Sequence, residues 1–352
     1  MSKQDELLSA SNVQDYLADH GLWPRGAPVF IHELGGGVSN TVLLVEGEAS
    51  GGVEKRWVVK QSLEKLRVQD ERRVERRRIF REAEAIQALR PVLGQAAVPQ
   101  VVHIDHENYL FIMTAAPPAS MMWKECLLDG RVDMGVARQA GRLQALMITS
   151  SQHDPSFKRV FADRAVFDQA RIVPYYRTTA ARHPDVRPVI GKLIEDSWQI
   201  RSAIVHGDYS PKNMLVRGNN IFLIDFEVVH WGDPAFDAGF LLNHLFLKAF
   251  HQPRLCQLCF AAVREYWKEL LRGTEKAALG DFENMTLRHL GALMLARIDG
   301  KSPVEYIRDE ITRGRVRRFA KRHLLEGPRR LEETLAGAEK TVCGGEILNG
   351  EF

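Results

Sequence analysis

One stretch constrains this chain more than any other. It reads His206, Gly207, Asp208, Tyr209, Ser210, Pro211, Lys212, Asn213, and two short apolar runs follow it, 214–216 and 221–224, with Arg217, Gly218, Asn219 and Asn220 between them. Two β-prone runs joined by a glycine- and asparagine-rich connection predict a hairpin. Folding 221–224 back along 214–216 sets Asn213 beside Ile224 and Asp225, with Asp208 a few residues upstream. An amide oxygen and two carboxylates are thereby gathered at one end of one hairpin.

Such an oxygen-rich set suits Mg2+, which binds through one or two protein oxygens and keeps waters and substrate phosphates as its other ligands. Asn213 and Asp225 are the expected metal ligands. Asp208 is the expected catalytic base: as a carboxylate it can orient an acceptor hydroxyl and take its proton as the oxygen attacks the γ-phosphorus of ATP. Taken singly, Asp208 and Asn213 are ordinary turn formers and Asp225 an ordinary strand terminus. Together they have the spacing of a phosphotransferase catalytic loop, and the joint pattern favours that chemistry.

A second set of residues lies upstream. Residues 30–34 read as a strand that enters Gly35, Gly36, Gly37, Val38, Ser39 and Asn40, and 41–45 leave as another strand. This glycine-rich hairpin could cover phosphates, although glycine turns in surface hairpins are as common. Residues 57–60 form a strand ending in Lys60, a cation suited to the α- and β-phosphates if it is held in place. The next segment, 78–89, has Ile79, Ala83, Ile86 and Leu89 at helical spacing and carries Glu82 and Glu84. Glu82 is the expected partner of Lys60, with Glu84 the reserve.

These stretches resemble the aminoglycoside phosphotransferase and choline kinase group of small-molecule kinases, a branch of the protein-kinase-like fold. The segments Val58, Val59, Lys60, Gln61, Ser62, Leu63 and Arg81, Glu82, Ala83, Glu84, Ala85 are similar to methylthioribose kinases in particular. The resemblance runs from about residue 35 to about 306 and is strongest at the catalytic loop, Asp225 and the run Gly232, Asp233, Pro234, Ala235, Phe236, Asp237. It implies an α+β, two-lobed fold, with a small β-rich N-lobe containing one orienting helix and a larger, mainly helical C-lobe. The expected division is a lead-in at 1–27, an N-lobe at 28–116, a C-lobe at 117–336 and a loose tail at 337–352. It also implies ATP and Mg2+ as cofactors and a small-molecule hydroxyl as acceptor. Met113 and Ala115, just before Pro117 and Pro118, would form the hinge whose backbone meets the adenine, and Asp237 would anchor backbone rather than react.

The same resemblance marks departures. Of the arginine pair that methylthioribose kinases place against their sugar, only Arg297 is present, and Asn213 sits where those enzymes depart from asparagine. Protein kinases are less similar: Gly207 replaces the arginine that reads a phosphorylated activation loop, and Glu227 replaces the last glycine of the metal-binding triplet. Glu227, His230, Trp231 and Asp233 follow the metal ligand and are expected to line the acceptor pocket, with Arg297 suited to a sugar or an acidic group.

Composition narrows the partners. A net charge of +3 is too small to imply a polyanion, and the basic run Arg72, Arg73, Arg76, Arg77, Arg78, Arg81 is interleaved with acids, so a solvated helix face is expected and nucleic acid is not. No membrane span or signal-peptide core is present, which predicts a cytoplasmic protein. Cys126, Cys256, Cys259 and Cys343 are too scattered for a disulfide scaffold and read as packing residues. Helical spacing predicts helices at 136–148, 189–200, 238–250, 255–271, 284–296 and 304–313. Arginines and lysines at 308–322 argue against polycationic aminoglycosides as acceptors. Two alternatives to a metabolite kinase remain at this point, a nucleotide-binding pseudokinase and an antibiotic phosphotransferase; the sequence leaves oligomeric state open.

Overall fold

The structure is a computed structural model that describes residues 7–35, 40–49, 53–63, 76–274, 281–327 and 330–343, and its chain divides into two units after Pro118. The first is built on an antiparallel sheet of five strands, β1 (Phe30–Glu33), β2 (Asn40–Ala49), β3 (Val53–Ser62), β4 (Val101–Asp105) and β5 (Leu110–Thr114), in the order β1-β2-β3-β5-β4. Side chains alternate across a strand. Trp57 and Val59 of β3, Leu43 and Val45 of β2, and Leu110 and Ile112 of β5 therefore share one face, where they form a buried cluster. Lys60, one residue out of phase, belongs to the other face and reaches the helix Arg78–Leu93.

The segment expected to be a separate lead-in is part of this core. Leu8, Val13, Tyr16, Leu17 and Trp23, from the turn and helix Val13–Asp19 and the loop after it, cover the sheet and are almost fully buried. Tyr16 also donates to Asp105 at 2.7 Å, tying the helix to β4. Gly36, Gly37 and Ser39 of the glycine-rich turn, and the basic run as far as 75, lie outside the described residues.

The second unit is mainly helical. The helix Ala235–His251 runs through its centre and is buried at every position from Ala235 to Phe250, as a helix packed on all sides must be. Around it pack the helices Cys256–Gly273, Phe282–Asp299 and Glu310–Glu326, and the helix Met134–His153 packs in turn on Cys256–Gly273. Three small β elements sit among them: β6 (Met121–Met122) joins β8 (Met214–Arg217) and β9 (Asn220–Leu223), while β7 (Ala203–Val205) pairs with β10 (His230–Gly232). Among the described residues no helix is long and apolar enough to cross a membrane.

Two late expectations are corrected. Residues 304–309 are not helical; the helix begins at Glu310, where the Asp309 carboxylate caps it by accepting from the Thr312 amide at 2.7 Å. The tail expected to be loose from 337 is a helix, Leu331–Cys343, because Leu331, Leu335, Ala338 and Val342 recur at helical spacing and are buried. Its last stretch, 344–352, lies outside the described residues. The cysteines also differ from expectation: Cys126 and Cys259 are free and buried, but Cys256 is disulfide-bonded.

Candidate active site

The hairpin forms in the expected register. Met214 pairs with Leu223 and Arg217 with Asn220, so the loop is only Gly218 and Asn219. Gly218 has φ +56°, the left-handed backbone that the first position of a two-residue hairpin loop favours. At the other end the Ile224 amide donates to the Asn213 carbonyl at 3.0 Å, which continues the ladder and sets Asn213 against Ile224 and Asp225. Asp225 has φ +69°, a conformation uncommon outside glycine that functional sites sustain.

The loop before the hairpin is held from below. Both oxygens of Asp237, one turn into the central helix, accept backbone amides, His206 N–H at 2.6 Å and Gly207 N–H at 2.9 Å. Burial pushes the Asp237 carboxyl up to about 7, against the two amides that favour its ionised form. Gly207 has φ +77°, and a Cβ there would lie 2.7 Å from the Val228 carbonyl, so glycine is required at this position. The His206 ring is fully buried, accepts from the Asp208 amide at 3.2 Å and lies 3.2 Å from the Ile224 carbonyl. Burial brings its imidazolium down to about 4, so the ring is a neutral strut between the loop and the hairpin.

Asp208 is buried, with two cations on one oxygen. Arg171 Nη2 lies 3.0 Å and Lys212 Nζ 3.6 Å from Asp208 Oδ2. Burial alone would raise the pKa of this carboxyl, but the guanidinium, and after it the ammonium, hold it below the usual carboxylate range. Asp208 is therefore ionised at neutral pH. Asn213 donates its side-chain amide to the Asp208 carbonyl at 3.0 Å; its own Oδ1 makes no hydrogen bond to another described residue.

In the first unit Lys60 Nζ lies 2.6 Å from Glu82 Oε2, both side chains almost fully buried, while Glu84 is exposed. Gly35 and Asn40 flank the undescribed part of the glycine-rich turn; Gly35 is exposed and Asn40 buried at the start of β2. Met113 is buried inside the sheet, paired with Val58 and Val101. The amide of Ala115 donates to the Arg56 carbonyl at 2.9 Å, so that donor is already committed.

Three of the expected pocket residues are engaged by the fold itself. His230 stacks on Phe167 at 4.0 Å and donates its Nδ1–H to the Val228 carbonyl at 3.1 Å. Trp231 is buried, its indole N–H donating to the Arg201 carbonyl at 3.0 Å. Asp233 accepts from the Ala235 amide at the start of the central helix at 3.0 Å and faces the His289 ring at 3.2 Å. Their polar atoms are spent on the fold, which leaves little with which to bind an acceptor. Glu227 is half-buried within the electrostatic reach of Arg171. Arg297 is half-buried and donates to the Tyr175 hydroxyl at 3.3 Å.

Arg171 escaped the sequence reading. It projects from a π-helix, Asp168–Arg177, that continues through Pro174, and besides Asp208 it holds the Gly207 carbonyl at 2.6 Å. No motif marks it. A groove of about 700 Å³ between the last two helices, lined by residues such as Phe319, Glu333 and Lys340, contains none of these groups.

An α+β, two-lobed chain with a mainly helical larger part and this loop is of the protein-kinase-like class. Residues 31–270 match the model of the Phosphotransferase enzyme family, and the chain belongs to that family. Methylthioribose kinase of Escherichia coli O45:K1 (strain S88) is 26% identical over 253 residues, which take in 63% of this chain and 58% of that protein. The match thus spans less than two thirds of the relative's length. Among solved structures, an ethanolamine kinase of Plasmodium vivax aligns with a TM-score of 0.53 at 10% identity, covering 94% of this chain and 87% of that one. The amicoumacin kinase hAmiN, solved with AMP-PNP and Ca2+, aligns with a TM-score of 0.51 at 15% identity over 91% and 97%. At these identities the structural likenesses speak for the fold.

Proposed function

We propose that this protein is an ATP- and Mg2+-dependent kinase that phosphorylates a hydroxyl group of a small molecule. The observation that carries this reading is the Asp208 carboxylate, buried, ionised and oriented by Arg171 and Lys212, with Asn213 and Asp225 adjoining it across the hairpin. Asp208 would accept the hydrogen bond of the incoming hydroxyl and receive its proton as the oxygen–phosphorus bond forms and the bond to ADP breaks. A carboxylate held this acidic orients better than it deprotonates. That suits a loose transition state, in which the proton leaves late.

Asn213 and Asp225 fit Mg2+, since one amide oxygen and one carboxylate leave the remaining positions of an octahedral ion to water and phosphate. Bound there, the ion would neutralise charge on the phosphates. Lys60, kept straight by Glu82, would hold the α- and β-phosphates, with Gly35, Gly36, Gly37, Ser39 and Asn40 as the cover over them. Because the Ala115 amide is engaged, adenine would be read by the Ala115 carbonyl or the next amide, with Met113 as apolar wall. The half-exposed Lys212 can meet the transferring phosphoryl oxygens.

The test is ADP release by the pure protein with Mg2+, ATP and a broad panel of hydroxyl compounds. We expect turnover with at least one acceptor, and a fall in kcat of about 10²–10⁴-fold in Asp208→Asn with nucleotide affinity retained. Tight ATP binding with no transfer to any acceptor, and no effect of the substitution, would instead make the protein a nucleotide-binding pseudokinase.

A further inference from the structure

The central helix poses a question that the catalytic loop does not answer. From Ala235 to Phe250 it is buried throughout, yet it carries four polar residues, Asp237, Asn243, His244 and Lys248. Asp237 is accounted for by the loop amides it accepts. Lys248 is not: its side chain is 1% exposed, and its Nζ has no hydrogen-bond partner, only the face of Tyr306 with its ring centre 4.9 Å away. A buried ammonium without an anion is among the costlier features a core can hold.

The groups around Lys248 share its condition. Arg297 Nε and the Tyr306 hydroxyl are both buried and unpartnered. His244, one turn before Lys248 and on the same helix face, is also buried. Glu305 is the nearby acid, and it is engaged by Lys124. The cluster is continuous with the catalytic loop: Arg297 donates to the Tyr175 hydroxyl, and the Tyr175 ring is covered by Arg171, which grips Asp208. One tyrosine side chain therefore separates the cationic cluster from the residues that hold the base.

We propose that Lys248, Arg297, Tyr306 and His244 form a subsite for an anionic group, a carboxylate or a phosphate, on the hydroxyl-bearing acceptor. The proposal rests on the kinase reading above for the rest of the acceptor's position. An oxyanion supplies what three of the four members lack, an acceptor for the Lys248 ammonium, for Arg297 Nε and for the Tyr306 hydroxyl. It also sets polarity: the hydroxyl points toward Asp208 and the anion away from that carboxylate. Cationic acceptors such as amino alcohols and aminoglycosides meet the wrong sign here. Burial, and then Lys124, bring the Lys248 ammonium down to about 7, a penalty that a bound anion would remove.

The experiment compares full-length wild type, Lys248→Met and Arg297→Gln. ADP release is measured with hydroxycarboxylic acids, sugar phosphates, neutral sugars and amino alcohols. We expect turnover in the acid or the phosphate arm, the arm identifying which anion is read, and a rise in KM of about tenfold to a hundredfold in either variant with kcat within a few-fold. Thermal stability gives the readout that a merely structural lysine would not match: Lys248→Met should melt at the same or a higher temperature because it removes an unpaired buried charge. Turnover of neutral or cationic compounds with KM unchanged in Lys248→Met overturns the subsite and leaves the kinase reading intact. If no compound is turned over, the kinase reading fails, and inorganic phosphate decides the subsite: a rise in melting temperature that Lys248→Met abolishes supports it, and an equal rise or none in both proteins refutes it.

Discussion

The contact between Arg171 and Asp208 can be tested by a double-mutant cycle. At 3.0 Å, with side chains 12% and 11% exposed, the two charges attract by roughly 5 kcal/mol if the effective permittivity is about 20. Desolvation of both ions offsets much of that gain, so the pair is worth less than its attraction. Removing only the cation is the costly step, since it leaves the carboxylate buried with Lys212 as its remaining ion partner, 3.6 Å away and half in solvent. Arg171→Met should therefore destabilise the protein by about 3–5 kcal/mol. In an Asp208→Asn background the same substitution loses the bonds to the Gly207 and Ala170 carbonyls and the packing on Tyr175 and Phe240, about 1–2 kcal/mol. Equilibrium denaturant unfolding of the four proteins should thus give a coupling of about 2–3 kcal/mol. Kinetics provides a second check. Freed from the guanidinium, Asp208 binds its proton more tightly, so the acid limb of kcat/KM should move to higher pH in Arg171→Met and much less in Arg171→Lys. Additivity within about 0.5 kcal/mol, together with an unmoved acid limb, would refute the assignment of Arg171 as the residue that keeps the base ionised.

Two further outcomes concern the scaffold. Asp237, raised to about 7, contributes stability that is lost as pH rises from about 4 through 7, whereas His206, lowered to about 4, contributes stability that is lost as pH falls from about 6.5 through 4. Their slopes oppose each other between about pH 4 and 6.5, so denaturation midpoints of Asp237→Asn should rise between pH 4.5 and 6.5 more than those of wild type; parallel profiles would count against this pairing. Leu335→Ala, at a fully buried position of the last helix, should cost about 2–5 kcal/mol in thermal or denaturant unfolding, where a loose tail would lose almost nothing.

What could be read in the sequence, and what could not, follows from the range of the interactions involved. Asn213 and Asp225 come together through a hairpin closed by Gly218 and Asn219, and a short loop with alternating flanks is local information. Lys60 and Glu82 were legible for a similar reason: strand alternation chose the face for one and helical spacing for the other. Arg171 had no such signal. It lies on a π-helix that runs through a proline, outside the 3.6-residue period, and its meaning depends on meeting a loop some 36 residues further along the chain. His230, Trp231 and Asp233 are the opposite case: nearness to Asp225 along the chain does not decide which way a side chain turns. Once β10 pairs with β7, those side chains are turned to Phe167, the Arg201 carbonyl and the start of the central helix. Lys248 lay between the two cases. Its position in an otherwise apolar helical run was visible, but a lysine there can reach solvent along its stem, and only the fold shows that this one does not. Motif spacing thus exposes groups that would act on a phosphoryl donor through local geometry, whereas groups that would select the acceptor are assembled from the π-helix, the central helix and the loop after Asp299.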